Sequence, residues 1–175
     1  MSEATNPTPP KRKNYGWIAY FVFLVVASVG AMLFMIDYNL RLQLKPEQLE
    51  EAKTLWAMKG PKNYDMIYTK RINEEQPIKF AVKVRGGQVQ EVLMNGKPLE
   101  PDEDRKDDMR IYHSMGAMYH DFDGTMRRDQ EPNAPKVYVS LKYDDQTGRV
   151  IEYIHRNMRT KQRVQITVEK FGALD

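Results

Sequence analysis

The 175-residue chain contains no cysteine and only three histidines. The absence of cysteine excludes disulfide bonds, thiol catalysis, iron–sulfur clusters and cysteine-ligated zinc. The sequence also lacks a G-x-S-x-G elbow, an H-E-x-x-H pair and a P-loop, which are motifs for a nucleophilic serine, a catalytic zinc and a nucleotide phosphate. We therefore expect no enzymatic activity, no metal site and no cofactor.

Charge is missing from one long run, residues 17–36. As an α-helix this run would be about 30 Å long, which matches the hydrocarbon layer of a bilayer. It is apolar on all sides, and Trp17, Tyr20 and Tyr38 stand near its two ends, where ring side chains favour the headgroup layers. We interpret it as an uncleaved transmembrane helix, in which the Ser28 hydroxyl is expected to bond back to the preceding turn.

Two other interpretations of this run stay open. A secretory signal has a shorter apolar region, about 7–15 residues, that ends in small residues. The letters ASVGA at 27–31 imitate such an end, but the apolar residues continue to 36. A buried helix of a soluble core is the other interpretation, and the length of the uncharged run disfavours it.

The charges before the run indicate its orientation. Lys11, Arg12 and Lys13 precede it, with Glu3 as the one acidic residue upstream. Positive residues tend to stay in the cytoplasm, so we expect a cytoplasmic N-terminus and an exported C-terminal domain in the cell membrane. This tail carries much of the chain's net charge of +3. The basic composition therefore does not indicate a nucleic-acid partner, and we expect none.

The sequence thus divides into four segments. They are a disordered basic cytoplasmic tail (1–16), a transmembrane helix (17–36), a juxtamembrane linker (37–45) and an exported domain (46–175). The expected partners are the lipid bilayer and a protein in the membrane or envelope.

Apolar periodicity in the last segment predicts an α+β domain. The helical stretches are 46–59, which starts with Pro46 and stops before Gly60-Pro61, and 114–129, with Ser114 as N-cap. Alternating apolar residues predict strands at 63–72, 78–85 and 88–94, then at 136–143, 149–158 and 163–171. Short connections favour an antiparallel sheet, with the helices packed on one face.

One turn of this domain is rich in cations. The letters HRNMRTKQR at 155–163 include Arg156, Arg159, Lys161 and Arg163. A solvated sheet face is the ordinary explanation for such residues. They could also form a patch that meets anionic lipid headgroups or an acidic partner.

Two histidines flank two methionines around the start of the second predicted helix. His113, Met115, Met118 and His120 could be interpreted as a Cu(I) site, because thioether and imidazole groups suit that ion. The methionines also belong to a stripe at helical spacing that continues through Phe122. We predict that they fill the core and hold no metal.

Several stretches carry a family resemblance. They are WAMKGPKNY (56–64), FAVKVRGGQVQEVLMNG (80–96), a helix striped with Met and Phe, and VYVSLKYDDQTGRVIEY (137–153). Over roughly residues 49–171 the chain resembles an uncharacterised family of bacterial exported domains of unknown function, found as lipoproteins or behind a single anchor. The resemblance implies no catalytic residue.

Three functional hypotheses follow. The first is a membrane-anchored interaction or ligand-binding module, an accessory subunit of an envelope complex. The second is a small-ligand pocket or enzyme on a cone-shaped curved sheet. The third is a structural tether. The second hypothesis expects a cavity lined by Tyr64, Tyr68, Tyr138, Tyr143 and Tyr153.

Overall fold

A computed structural model of the chain describes residues 16–41, 43–99 and 108–174, and the chain divides into two compact units after residue 42. The first unit contains helix α1, Gly16–Arg41. Because no proline or glycine follows the apolar run before Pro46, the helix continues past its predicted end at 36. The first part of the predicted linker (37–45) is therefore helical. The predicted disordered tail lies outside the described residues, apart from Gly16.

Helix α1 is long and apolar enough to cross a membrane over the 23 residues Gly16–Tyr38. The Ser28 hydroxyl donates to the Leu24 carbonyl oxygen at 2.8 Å, which confirms the predicted back-bond. Trp17 stacks on Phe21 one turn away, and Tyr38 lies at the opposite end of the span. The side chains of residues 17–38 are exposed.

The second unit is an α+β domain, as predicted. Its elements are α2 (Pro46–Lys59), β1 (Tyr64–Ile72), β2 (Ile78–Arg85), β3 (Gln88–Met94), β4 (Lys97–Pro98), a 3₁₀ helix (Met109–His113), α3 (Met115–Asp129), β5 (Val137–Tyr143), β6 (Val150–Asn157) and β7 (Arg163–Ala173). The predicted elements begin and end within two residues of these bounds. Strand β4 and the 3₁₀ helix were not predicted.

The strands form one antiparallel sheet in the order β4-β3-β2-β1-β7-β6-β5. Strand β1 pairs with β7 along its whole length, so the first and last strands join two meanders at the centre of the sheet. Strand β4 exists because Asn95 and Gly96 adopt positive φ angles of 51° and 81°. This turn brings Lys97 opposite Met94 and extends the sheet by one short edge strand.

One face of the sheet carries the core. Inward-facing residues of the strands are buried against α2 and α3, and the predicted stripe of α3 is the centre of this packing. Phe122 of α3 lies flat on Tyr153 of β6, with ring centroids 3.8 Å apart. The buried residues of α3 are Met115, Met118, Tyr119 and Phe122.

Acidic and basic side chains pair across the opposite face. The pairs are Lys79–Glu169 (2.8 Å), Lys83–Glu91 (2.7 Å), Arg85–Asp65 (2.7 Å) and Lys142–Glu152 (3.2 Å). Each is solvent-exposed to some degree, so water screens the attraction and each pair contributes little to the stability of the fold.

Helix α2 approaches the sheet most closely at Gly148, in the turn before β6. Gly148 has a φ angle of +72°, and an added Cβ would lie 2.5 Å from the Trp56 backbone nitrogen. The Gly148 carbonyl also accepts the buried Tyr119 hydroxyl of α3. One residue without a side chain therefore fixes how both helices rest on the sheet.

We predict that Gly148→Ala lowers the free energy of unfolding by about 2–4 kcal/mol, because it adds both overlap and backbone strain. Gly124→Ala is the matched control, since Gly124 lies inside α3 with open space around it. That control should stabilise the protein by about 0.5–1 kcal/mol. Thermal and urea unfolding of the detergent-solubilised full-length chain would measure both. Equal effects of the two substitutions would contradict this account.

Candidate functional site

Three of the four predicted basic residues line one open cleft at the end of the sheet. Arg156 is near the end of β6, Arg163 begins β7, and Lys161 lies in the turn between them. The cleft has a volume of about 500 Å³. We call it the basic cleft, and its lining residues are Asn73, Glu74, Arg156, Thr160, Lys161 and Arg163. Arg159, the fourth predicted residue, is outside this lining.

Local hydrogen bonds shape the turn that carries these cations. The Asn157 side-chain oxygen accepts the backbone N–H groups of Arg159 at 2.9 Å and Thr160 at 3.0 Å. Lys161 then adopts a positive φ of 60°, which is uncommon for a residue with a Cβ. The Asn157 N–H donates to Gln162 O at 2.8 Å and closes the turn.

A second loop, between β1 and β2, completes the cleft. The Asn73 N–H donates to Arg163 O at 2.7 Å, and the Arg163 N–H donates to the Asn73 side-chain oxygen at 2.8 Å. This double contact fixes Asn73 and Glu74 beside the basic turn. Sequence reasoning missed both residues because they lie about 90 positions from Arg163. The pairing of β1 with β7 that joins them has no local signal.

The cations of the basic cleft have no ion-pair partner among the described residues, although the Arg163 guanidinium donates to the Gln165 side-chain oxygen at 3.2 Å. Within the described residues, no carboxylate lies within 4.0 Å of the Arg156, Lys161 or Arg163 side chain. Arg156 and Arg163 are directly opposite each other in the β6–β7 register, a placement that destabilises a sheet. Among the described residues, Glu74 is the one acidic residue of the lining. Guanidinium forks in such a cleft suit carboxylates and phosphates.

A second concavity lies between the sheet and the start of α3. We call it the aromatic pocket; it has a volume of about 300 Å³. Rings form much of its wall: Tyr68 and Phe80 stack with centroids 4.9 Å apart, and Phe80 contacts the His113 ring at 4.8 Å. Phe122 and the exposed Tyr112 also line it.

One partly buried hydrogen bond determines which nitrogen of His113 carries the proton. The Tyr68 hydroxyl lies 2.5 Å from His113 Nδ1. Burial raises the pKa of Tyr68, so its phenol stays protonated and donates. Burial, and then the nearby Lys70 ammonium, lower the pKa of His113. A neutral imidazole that accepts at Nδ1 carries its proton on Nε2.

The tyrosines of the cone hypothesis lie in different places. Tyr68 lines the aromatic pocket, whereas Tyr64 is buried and its hydroxyl accepts the Met115 N–H at 2.9 Å. Tyr153 is stacked beneath Phe122. Tyr138 is the cross-strand partner of Arg156, and both lie on the sheet face that the helices do not cover. Tyr143 is half-buried. These five rings therefore do not share one cavity.

Met115 and Met118 are buried in the core, so the thioether groups that the Cu(I) interpretation requires are used in packing. His113 is bonded to Tyr68, and His120 is exposed on α3. Of the anchor residues, Trp17, Tyr20 and Tyr38 are exposed on α1. Lys11, Arg12 and Lys13 lie outside the described residues.

No protein-family model matches the chain, and no curated protein matches it either. The resemblance to an exported family of unknown function therefore stays a prediction.

We predict that Arg156→Glu raises the free energy of unfolding by about 0.2–1 kcal/mol, because it replaces cross-strand repulsion with attraction to Arg163. Arg159→Glu is the matched control, with the same change of charge in the turn that follows β6 but outside the β6–β7 register. Urea unfolding of both variants would measure the difference. A loss of stability specific to Arg156→Glu would contradict the proposed repulsion.

We also predict an acid-sensitive step at His113. Its pKa is lower in the folded protein, so the unfolded chain binds the proton first. The stability that the neutral His113 side chain gives to the folded protein is therefore lost as pH falls below about 6.5. His113→Gln keeps an oxygen that accepts the Tyr68 hydroxyl, so the variant should lose less stability between pH 7 and 5. If the free energy of unfolding fell equally with pH in the wild type and in His113→Gln, the acid-sensitive step would not belong to His113.

Proposed function

We propose that the chain is a single-pass membrane protein whose C-terminal domain lies on the extracytoplasmic side. Helix α1 supports this, because its exposed apolar surface matches the thickness of a bilayer. Each Leu, Ile, Phe or Val near the centre of such a helix favours insertion by about 0.3–0.6 kcal/mol. The cations Lys11, Arg12 and Lys13 before the helix favour a cytoplasmic N-terminus.

The proposed role of the domain is to bind an acidic segment of a partner protein, as a subunit of an envelope assembly, and not to catalyse a reaction. The contrast between the two groups of cations supports this most. Lys79, Lys83 and Arg85 each have an acidic partner on the open sheet face. Arg156 and Arg163 have none among the described residues and repel each other.

The shape of the cleft favours a protein segment over a lipid surface. A bilayer presents a flat array of headgroups, whereas the basic cleft is concave and holds about 500 Å³. Carboxylates on an extended or turned segment can enter it and meet the guanidinium groups in pairs. Glu74 in the lining gives such a segment a position where a cation or donor is preferred.

A photo-cross-linking residue at position 160 tests this proposal in native membranes, since Thr160 lines the cleft. We expect one cross-linked partner protein, at a yield that falls by about tenfold with Lys161→Glu and falls with added salt. Arg159→Glu is the control and should leave the yield within about twofold. Replacing an acidic residue of the captured partner with lysine should restore its cross-linking to the Lys161→Glu variant.

Three results would reject the acidic-segment proposal. Adducts to lipid alone would assign the cleft to headgroups. A yield indifferent to Lys161→Glu would remove the role of charge. No adduct at position 160, with normal membrane insertion, would favour the structural tether.

Lys161→Asn separates binding from folding. Asparagine tolerates the left-handed backbone at this position better than lysine does, and it removes the charge. We expect unfolding to be unchanged or slightly less favourable, with a cross-linking yield as low as that of Lys161→Glu. Cross-linking at the wild-type level would contradict a charge-based site.

A further inference from the structure

Strand β1 places a lysine on the helix-covered face of the sheet. Its inward positions are Tyr64, Met66 and Tyr68, all buried, and the next inward position is Lys70. The register confirms the side, because Lys70 is opposite Ile78 in β2 and the buried Ile166 in β7. A cation on the core side of a sheet is costly unless something pairs with it. Within the described residues, no carboxylate lies within 4.0 Å of Lys70.

The half-buried Lys70 lines the aromatic pocket. Its neighbour His113 offers a second donor there, since Nδ1 is occupied by Tyr68 and the proton sits on Nε2. Nε2 of His113 has no hydrogen-bond partner among the described residues. Because every buried side-chain nitrogen of the described residues has a partner, Nε2 is not buried and remains accessible. The lining of the pocket therefore combines apolar and aromatic side chains with two donor side chains, Lys70 and His113.

We propose that the aromatic pocket binds a small aromatic monocarboxylate, with its ring against the exposed Tyr112 and beside Phe80, and with its carboxylate at Lys70 and His113. The volume of about 300 Å³ is at the small end of the range for ligand pockets, which suits one ring with a short acidic chain. An aromatic ring fits walls that are already stacked rings. This site is separate from the basic cleft and does not depend on the function proposed for it.

Asp121 of α3 also lines the pocket, and it is exposed. Its carboxylate repels a bound anion, so the ligand class can be tested by removing that charge. A monocarboxylate should bind more tightly to Asp121→Asn. A ligand with an ammonium group, such as an aromatic amino acid, should bind more weakly to the same variant.

The test is calorimetric titration of the full-length chain in lipid nanodiscs, with empty discs as the blank. The probes are 3-phenylpropionate, phenylalanine and phenethylamine, which share one ring and differ in charge. We expect 3-phenylpropionate to bind at least about tenfold more tightly than phenethylamine. Lys70→Met should raise its Kd by about tenfold or more, since a charge-assisted contact is lost. Asp121→Asn should lower the Kd by about twofold.

Ala117→Leu serves as a steric control. Ala117 lines the pocket from α3, so the larger side chain fills the cavity without changing any charge. It should raise the Kd by about tenfold while thermal unfolding shows the domain still folded. Lys161→Glu, in the basic cleft, should leave the Kd unchanged.

The proposal is overturned if 3-phenylpropionate binds the wild type no better than Lys70→Met or Ala117→Leu. It is also overturned if phenylalanine binds best and loses affinity with Asp121→Asn, because the ligand class would then be zwitterionic. These outcomes leave the cross-linking result at the basic cleft unaffected, so the two sites stand or fall separately.

Discussion

The pairing of β1 with β7 is the contact on which the arrangement of both sites depends. Nine residues of β1, Tyr64–Ile72, find partners in β7. This pairing closes a loop of about 90 residues, so its entropy cost must be offset by the core that it completes. At one end it brings Asn73 against Arg163. Further along, it places Lys70 beside Ile166 at the aromatic pocket.

The strands and helices could be predicted because their signals are local. Alternation in 78–85 and the stripe through Met118 and Phe122 each require a handful of neighbouring residues. The order of the strands could not be predicted. The two antiparallel meanders could join at several edges, and the alternation of apolar residues along each strand would be the same in every case. For that reason Arg156 and Arg163 were identified as a patch, but Asn73 and Glu74 were not identified as its other wall.

The aromatic pocket shows the same limit in a different form. His113 was a candidate metal ligand because methionines and a second histidine follow it closely in the sequence, whereas its partner is Tyr68, 45 positions away. Lys70 was not among the candidate residues, because nothing in the neighbouring sequence distinguishes it from other charged strand residues. Only the register of β1 against its two neighbours identifies it as an inward-facing cation. The unpredicted strand β4 and the 3₁₀ helix follow from turn geometry at Asn95 and Asp108.

Charge is unevenly matched over this domain. On the open sheet face, acids and bases neutralise one another in cross-strand pairs. At the basic cleft and at Lys70 the described residues provide cations without matching carboxylates. Such places cost stability in the isolated protein, and a bound anion would offset that cost. This uneven matching of charge is the observation from which both proposals of anion binding are argued.

The location of the domain is the claim that supports the rest, and protease accessibility tests it directly. In spheroplasts, an added protease should digest the C-terminal domain and leave a membrane-protected fragment that contains α1. Complete protection of the domain until the membrane is permeabilised would place it in the cytoplasm and contradict the account.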